Sequence, residues 1–85
     1  MAVQTSLSRT TAEELQLSMD YPSETFIRRY AVEVFGDQNR AGAWFGTEIP
    51  ALANSTPESL LNSRNDENLR RVLGVLVQID YGVVS

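Results

Sequence analysis

The chain contains no cysteine, no histidine and no lysine; its seven basic residues are all arginine. Without cysteine there is no disulfide framework and no thiolate metal site. Without histidine the chain loses the side chain that titrates nearest neutral pH, which is also the commonest metal ligand. Eleven carboxylates against seven arginines give a formal net charge of −4. A dedicated nucleic-acid binder carries a basic stripe, because neutralising phosphates supplies most of its affinity. Here the arginines are scattered, at positions 9, 28, 29, 40, 64, 70 and 71. No apolar run is long enough to span a bilayer. The first eight residues have neither a basic n-region nor an apolar h-region, so they do not read as a secretory signal. A soluble cytoplasmic protein is the default expectation.

What remains is a chain of 85 residues, 42% of them apolar. That suffices for one domain with one modest core. Residues 1–9 are small, polar and aperiodic and read as a flexible lead-in. A first helix is expected to begin at Thr10 or Thr11. Thr10-Thr11-Ala12-Glu13 fits the S/T-x-x-E capping box, and the helix should run to about Met19. Asp20-Tyr21-Pro22 then breaks it, since the residue before proline avoids the helical region.

Ser23 caps a second helix reaching about Phe35. Its apolar positions Phe26, Ile27, Tyr30, Ala31, Val34 and Phe35 form a broad stripe. Gly36 is suited to end it. Asp37 caps a third helix from about Gln38 to Phe45, with Ala41, Trp44 and Phe45 on one face. Residues 48–55 read as a loop with Ala51 and Leu52 turned inward. Thr56-Pro57-Glu58 starts a fourth helix ending near Asn62, with proline at the first helical position, where its missing N–H costs nothing. Asn65-Asp66 caps a fifth, from about Glu67 to Asp80, with the stripe Leu69, Val72, Leu73, Leu76 and Ile79. Gly74 inside that helix suggests close helix packing, and Gly82 ends it. No segment alternates with period two, so the expectation is an all-α orthogonal bundle of about five short helices, one domain over residues 10–85.

Few residues here can carry chemistry. Glu13/Glu14, Asp66/Glu67 and Glu33/Asp37 are carboxylate pairs, as a glycosidase needs across a cleft. Each pair falls at or near a helix end, where carboxylates act as caps and complement the dipole. Ser23, Ser55 and Ser59 have no His or Lys to activate them. No enzyme, no catalytic residue, no metal site and no cofactor is expected. Arg28-Arg29 and Arg70-Arg71 read as solvated helix surface paired with Glu24, Glu33 or Glu67. Trp44 reads as the centrepiece of the core, and Phe45 fits either core or binding surface. Tyr81-Gly82-Val83-Val84 follows the last helix with no obvious core left to fill. It either folds back on the bundle or is offered to a partner, where exposed apolar surface would be the sign.

The ordered set Ala31, Val34, Phe35, Gly36, Asp37, Ala41 and Trp44, then Pro50, Ala51, Leu52, Thr56, Pro57, Leu60 and Leu61, then Val72, Val75, Leu76, Ile79, Tyr81, Gly82 and Val83, resembles the C-terminal toxin-binding domain of the MbcA/ParS/Xre antitoxin family. The likeness runs from roughly Tyr30 to Ser85. Phe45 stands where the family usually has Leu. Ala53-Asn54 replaces a Gly-Gly turn, so the loop before Thr56 is expected to take another path. A full DNA-binding domain, usual before this module, is expected to be missing. Residues 10–29 read as a helix-turn-helix remnant or a chance likeness.

The resemblance implies a non-enzymatic antitoxin or immunity protein. Its partner would be a cognate RES-domain toxin, a relative of ADP-ribosyltransferases that consumes or transfers from NAD. The resemblance also implies that the folded module obstructs the toxin's NAD pocket with the end of its last helix and tail, through Asp80, Tyr81, Gly82, Val83, Val84 and Ser85. A homodimer is compatible with this; DNA binding and membrane association are not expected. The alternative is a DNA-binding autoregulator of a toxin–antitoxin operon, working through the first two helices.

Overall fold

The computed structural model of the protein describes residues 10–82. The expectations for residues 1–9 and for Val83, Val84 and Ser85 lie outside the described residues. Five α-helices follow one another: α1 (Ala12–Asp20), α2 (Glu24–Phe35), α3 (Gln38–Phe45), α4 (Pro57–Asn62) and α5 (Asp66–Asp80). A single 3₁₀ turn, Pro50–Leu52, lies between α3 and α4. Among the described residues there is no strand, and the one β-type contact is an isolated bridge between Ile49 and Ser55.

Each helix starts on a side chain that accepts an otherwise unpaired backbone N–H. Ser23, Asp37, Thr56 and Asn65 accept from Phe26, Arg40, Ser59 and Asn68, at 3.2, 2.9, 3.2 and 3.1 Å. The first capping box is displaced by one residue from the sequence expectation. Thr11 Oγ1 accepts from the Glu14 N–H at 3.1 Å, and Glu14 Oε1 accepts from the Thr11 N–H at 3.0 Å. The neighbouring threonine is engaged elsewhere: the Thr10 N–H and hydroxyl both donate to Glu33 Oε1 at 2.8 Å. That long-range pairing sets which of two equivalent threonines becomes the cap.

The centre of the molecule is the α2–α5 pair, with α3 packed on α2 and α4 on α5. Ile27, Tyr30 and Ala31 of α2 and Val72, Leu73 and Leu76 of α5 are all 0% exposed. Burial of each large apolar side chain contributes about 1.5–3 kcal/mol. Leu15, Ala41, Phe45, Leu52, Leu61 and Leu69 complete the core.

Several side chains sit differently from the sequence reading. Trp44 is half-buried on the rim, tilted against Phe35 with ring centroids 5.6 Å apart, while Phe45 is buried. The centrepiece is Tyr30, the largest fully buried side chain. Leu52 turns inward but Ala51 is exposed, because the short 3₁₀ turn can direct only part of its surface at the core. Ile79 is half-buried rather than sealed in the core stripe. Among the described residues nothing lies within 4 Å of a Cβ placed on Gly74, so none of the five helices packs closely there.

The loop before α4 adopts a left-handed backbone at two successive residues that are not glycine. Ala53 (φ 57°) and Asn54 (φ 65°) both occupy the left-handed region. Asn tolerates that region, whereas Ala is strained by its Cβ. The turn is held by Leu52 N–H and Asn54 N–H donating to the Ile49 carbonyl at 2.8 and 3.0 Å, and by Ile49 N–H donating to the Ser55 carbonyl at 3.1 Å.

Candidate functional site

α5 delivers the residues that the family resemblance points to. It is the longest helix, capped by Asn65, with Asp66 and Glu67 at its positive end. At its C-terminus the Tyr81 N–H donates to the Val77 carbonyl at 3.0 Å and the Gly82 N–H to the Ile79 carbonyl at 3.2 Å. Gly82 has φ 71°, a left-handed conformation that closes the helix.

The last turn carries no basic residue, and it places the Asp80 carboxylate at the negative end of the dipole. The compensation comes from α2. The Tyr30 hydroxyl donates to Asp80 Oδ2 at 2.7 Å, the length of a charge-assisted bond. The Tyr30 ring is itself fixed in the core and stacked on Phe26 at 6.0 Å. The end of α5 is therefore tied to the rigid centre of the protein. Tyr81, the next residue, is 59% exposed. A rigid helix end followed by an exposed aromatic can fill an apolar pocket with little loss of freedom on binding. Among the described residues the other large exposed apolar side chains are Leu17 and Tyr21, on and just beyond α1. The sequence reading did not single them out. Leu17 lies at non-core spacing from the buried Leu15 and Ser18, which is the signal that could have found it.

The other candidates resolve into structural roles. Glu13 and Glu14 lie in the first turn of α1 and Asp66 and Glu67 in the first turn of α5, while Asp37 caps α3 and Glu33 holds Thr10. Ser23 Oγ caps α2, and the Ser59 hydroxyl donates to the Thr56 carbonyl at 2.8 Å. Among the described residues no three carboxylates gather as metal ligands. Among them, too, no helix is long and apolar enough to cross a membrane.

Arg28 bridges α2 to α4. Its Nη1 and Nη2 donate to Glu58 Oε1 and Oε2 at 3.0 and 2.9 Å, and its Nε donates to Glu24 Oε2 at 2.9 Å. The Arg28 hydrogen bond holds the Glu58 carboxyl below its ordinary value of 4.5, against the opposing effect of partial burial. Arg29 lies over the Phe26 ring at 5.1 Å. Arg70 ties α5 to the end of α1, donating from Nε to the Met19 carbonyl at 2.6 Å and from Nη2 to the Asp20 carbonyl at 3.2 Å.

No curated protein and no solved structure matches the chain. A family model does, over residues 31–82, from the buried turn of α2 to the glycine that closes α5. Ile27 and Tyr30, just upstream of that stretch, belong to the same core. With more than half of the chain matched and all of α5 with its exposed end inside the match, the protein belongs to the family of the antitoxin Xre/MbcA/ParS C-terminal toxin-binding domain.

Proposed function

We propose that this chain is an antitoxin or immunity protein that binds a RES-type toxin and blocks the pocket where that toxin handles NAD. The plug is the end of α5 with the residues that follow: Asp80, Tyr81, Gly82, Val83, Val84 and Ser85. The observation that carries the reading is the contrast between adjacent residues, with Asp80 anchored to the core through Tyr30 and Tyr81 59% exposed. An anchored helix that ends in an exposed aromatic is preorganised to enter a cavity. The net charge of −4 favours encounter with a cationic, anion-accepting pocket, because complementary charge speeds association.

The test is to delete residues 81–85 and measure rescue of growth and of NAD in cells that express a RES-domain toxin together with either the full or the truncated chain. Loss of protection by a truncated protein that stays folded is the expected result. Full protection by the truncated protein rules out the plug.

A further inference from the structure

The outer side of α1 has no role in the fold or in the proposed plug. α1 turns Leu15, Ser18 and Met19 inward. Leu17 and Tyr21, four residues apart, are 61% and 78% exposed. Glu13, Leu17 and Asp20, four and three residues apart, lie along one outward strip of α1, and Tyr21 follows directly as its C-cap. From residue 10 to residue 27 the chain has Glu13, Glu14, Asp20 and Glu24 and no Arg or Lys. Glu14 is turned back into the capping box. The guanidinium that reaches α1, that of Arg70, bonds to backbone carbonyls and leaves the outer carboxylates to solvent. Among the described residues neither Glu13 nor Asp20 takes part in an ion pair.

Charge decides which partner fits this face. A phosphate-bearing surface, nucleic acid or anionic lipid, is repelled by it. A second copy docked face to face would oppose carboxylate to carboxylate, which is destabilising. A cationic protein surface surrounding an apolar pocket is complementary in both respects. The face also lies within reach of the plug. Arg70 contacts Asp20, and Asp80 is ten residues further along α5, about 15 Å at the helical rise. An interface of ordinary size, roughly 800 Å² per partner, is wide enough to span that distance.

Building on the antitoxin reading above, we infer that the outer face of α1 is a second docking site for the same toxin. Leu17 and Tyr21 enter an apolar pocket whose rim carries Lys or Arg opposite Glu13 and Asp20.

The experiment is calorimetric titration of the same RES-domain toxin with the full chain, at low and at physiological salt. Two variants are compared with wild type, Leu17→Ser/Tyr21→Ser and Glu13→Gln/Asp20→Asn, and their melting is followed by circular dichroism. All four side chains point outward, so both variants should melt like wild type. The first should bind at least tenfold more weakly. The second, isosteric and therefore safe for folding, should bind more weakly at low salt and show a flatter salt dependence. Wild-type affinity and salt dependence in both variants overturn the α1 site while leaving the plug untouched. A wild-type chain that does not bind this toxin overturns the antitoxin reading and the α1 site with it.

Discussion

The Tyr30 hydroxyl donates a 2.7 Å hydrogen bond to Asp80 Oδ2 across 50 residues of sequence, joining the most buried ring of the core to the last residue of the last helix. One turn further along α2, Glu33 accepts both donors of Thr10. The two ends of the described chain are thus held by neighbouring turns of a single helix. The bond also offsets the unfavourable placement of a carboxylate at a helix C-terminus.

Tyr30→Phe removes this bond and keeps the ring in the core. A hydrogen bond to a charged group contributes about 1.5–3 kcal/mol, and the variant should lose stability in that range. Urea unfolding followed by circular dichroism measures it. Toxin affinity should fall as well, because the end of α5 is held less firmly to the core.

The Arg28–Glu58 pair makes stability depend on acid. Glu58 has a lower pKa folded than unfolded, so its contribution is complete above about pH 4.5 and fades as pH falls through the folded value. Both side chains are about two-fifths exposed, so solvent screening keeps the contribution under about 1 kcal/mol. Glu58→Gln should be slightly less stable than wild type at pH 7 and lose less on acidification. Melting temperatures of the two proteins from pH 7 to pH 3 should converge. A constant gap across that range would contradict the assignment.

Ala53 holds a conformation that glycine adopts without strain. Relief of the left-handed penalty, roughly 1–2 kcal/mol, outweighs the extra freedom glycine gives the unfolded chain, about 0.4–1 kcal/mol. Ala53→Gly should therefore gain about 0.5–1 kcal/mol, read by denaturant unfolding.

Gly74 faces open space in the interior of α5. Gly74→Ala should stabilise the free protein by about 0.5–1 kcal/mol, the usual helix preference for alanine. Destabilisation in thermal melts would mean that a neighbouring chain segment packs there after all.

How much was legible in the sequence depended on the range of the interaction that decided each feature. Ser23, Asp37, Thr56 and Asn65 act as caps from their own side chains, and Gly36 and Gly82 close α2 and α5, so helix number and ends were readable to within a residue. The stripe Leu69, Val72, Leu73 and Leu76 follows from helical period alone and is buried. The start at Thr10 or Thr11 was readable, but the capping box falls one residue later than Thr10–Glu13 because Glu33, 23 residues away, claims Thr10. The family likeness was also readable, since it rests on residue types in order.

Other features exist only once the helices pack. Tyr30 and Trp44 are both large aromatics on apolar stripes, and nothing local says which is central. α5 lies against Tyr30 and leaves Trp44 on the rim. Likewise, any helix end can carry an exposed tyrosine. That Asp80 is anchored while Tyr81 projects, and that Leu17 and Tyr21 stay outside an acidic α1, was settled by which faces the neighbouring helices cover. Propensity and capping act within a few residues and are written in the chain. Burial is a property of the whole assembly and is assigned only when the elements meet.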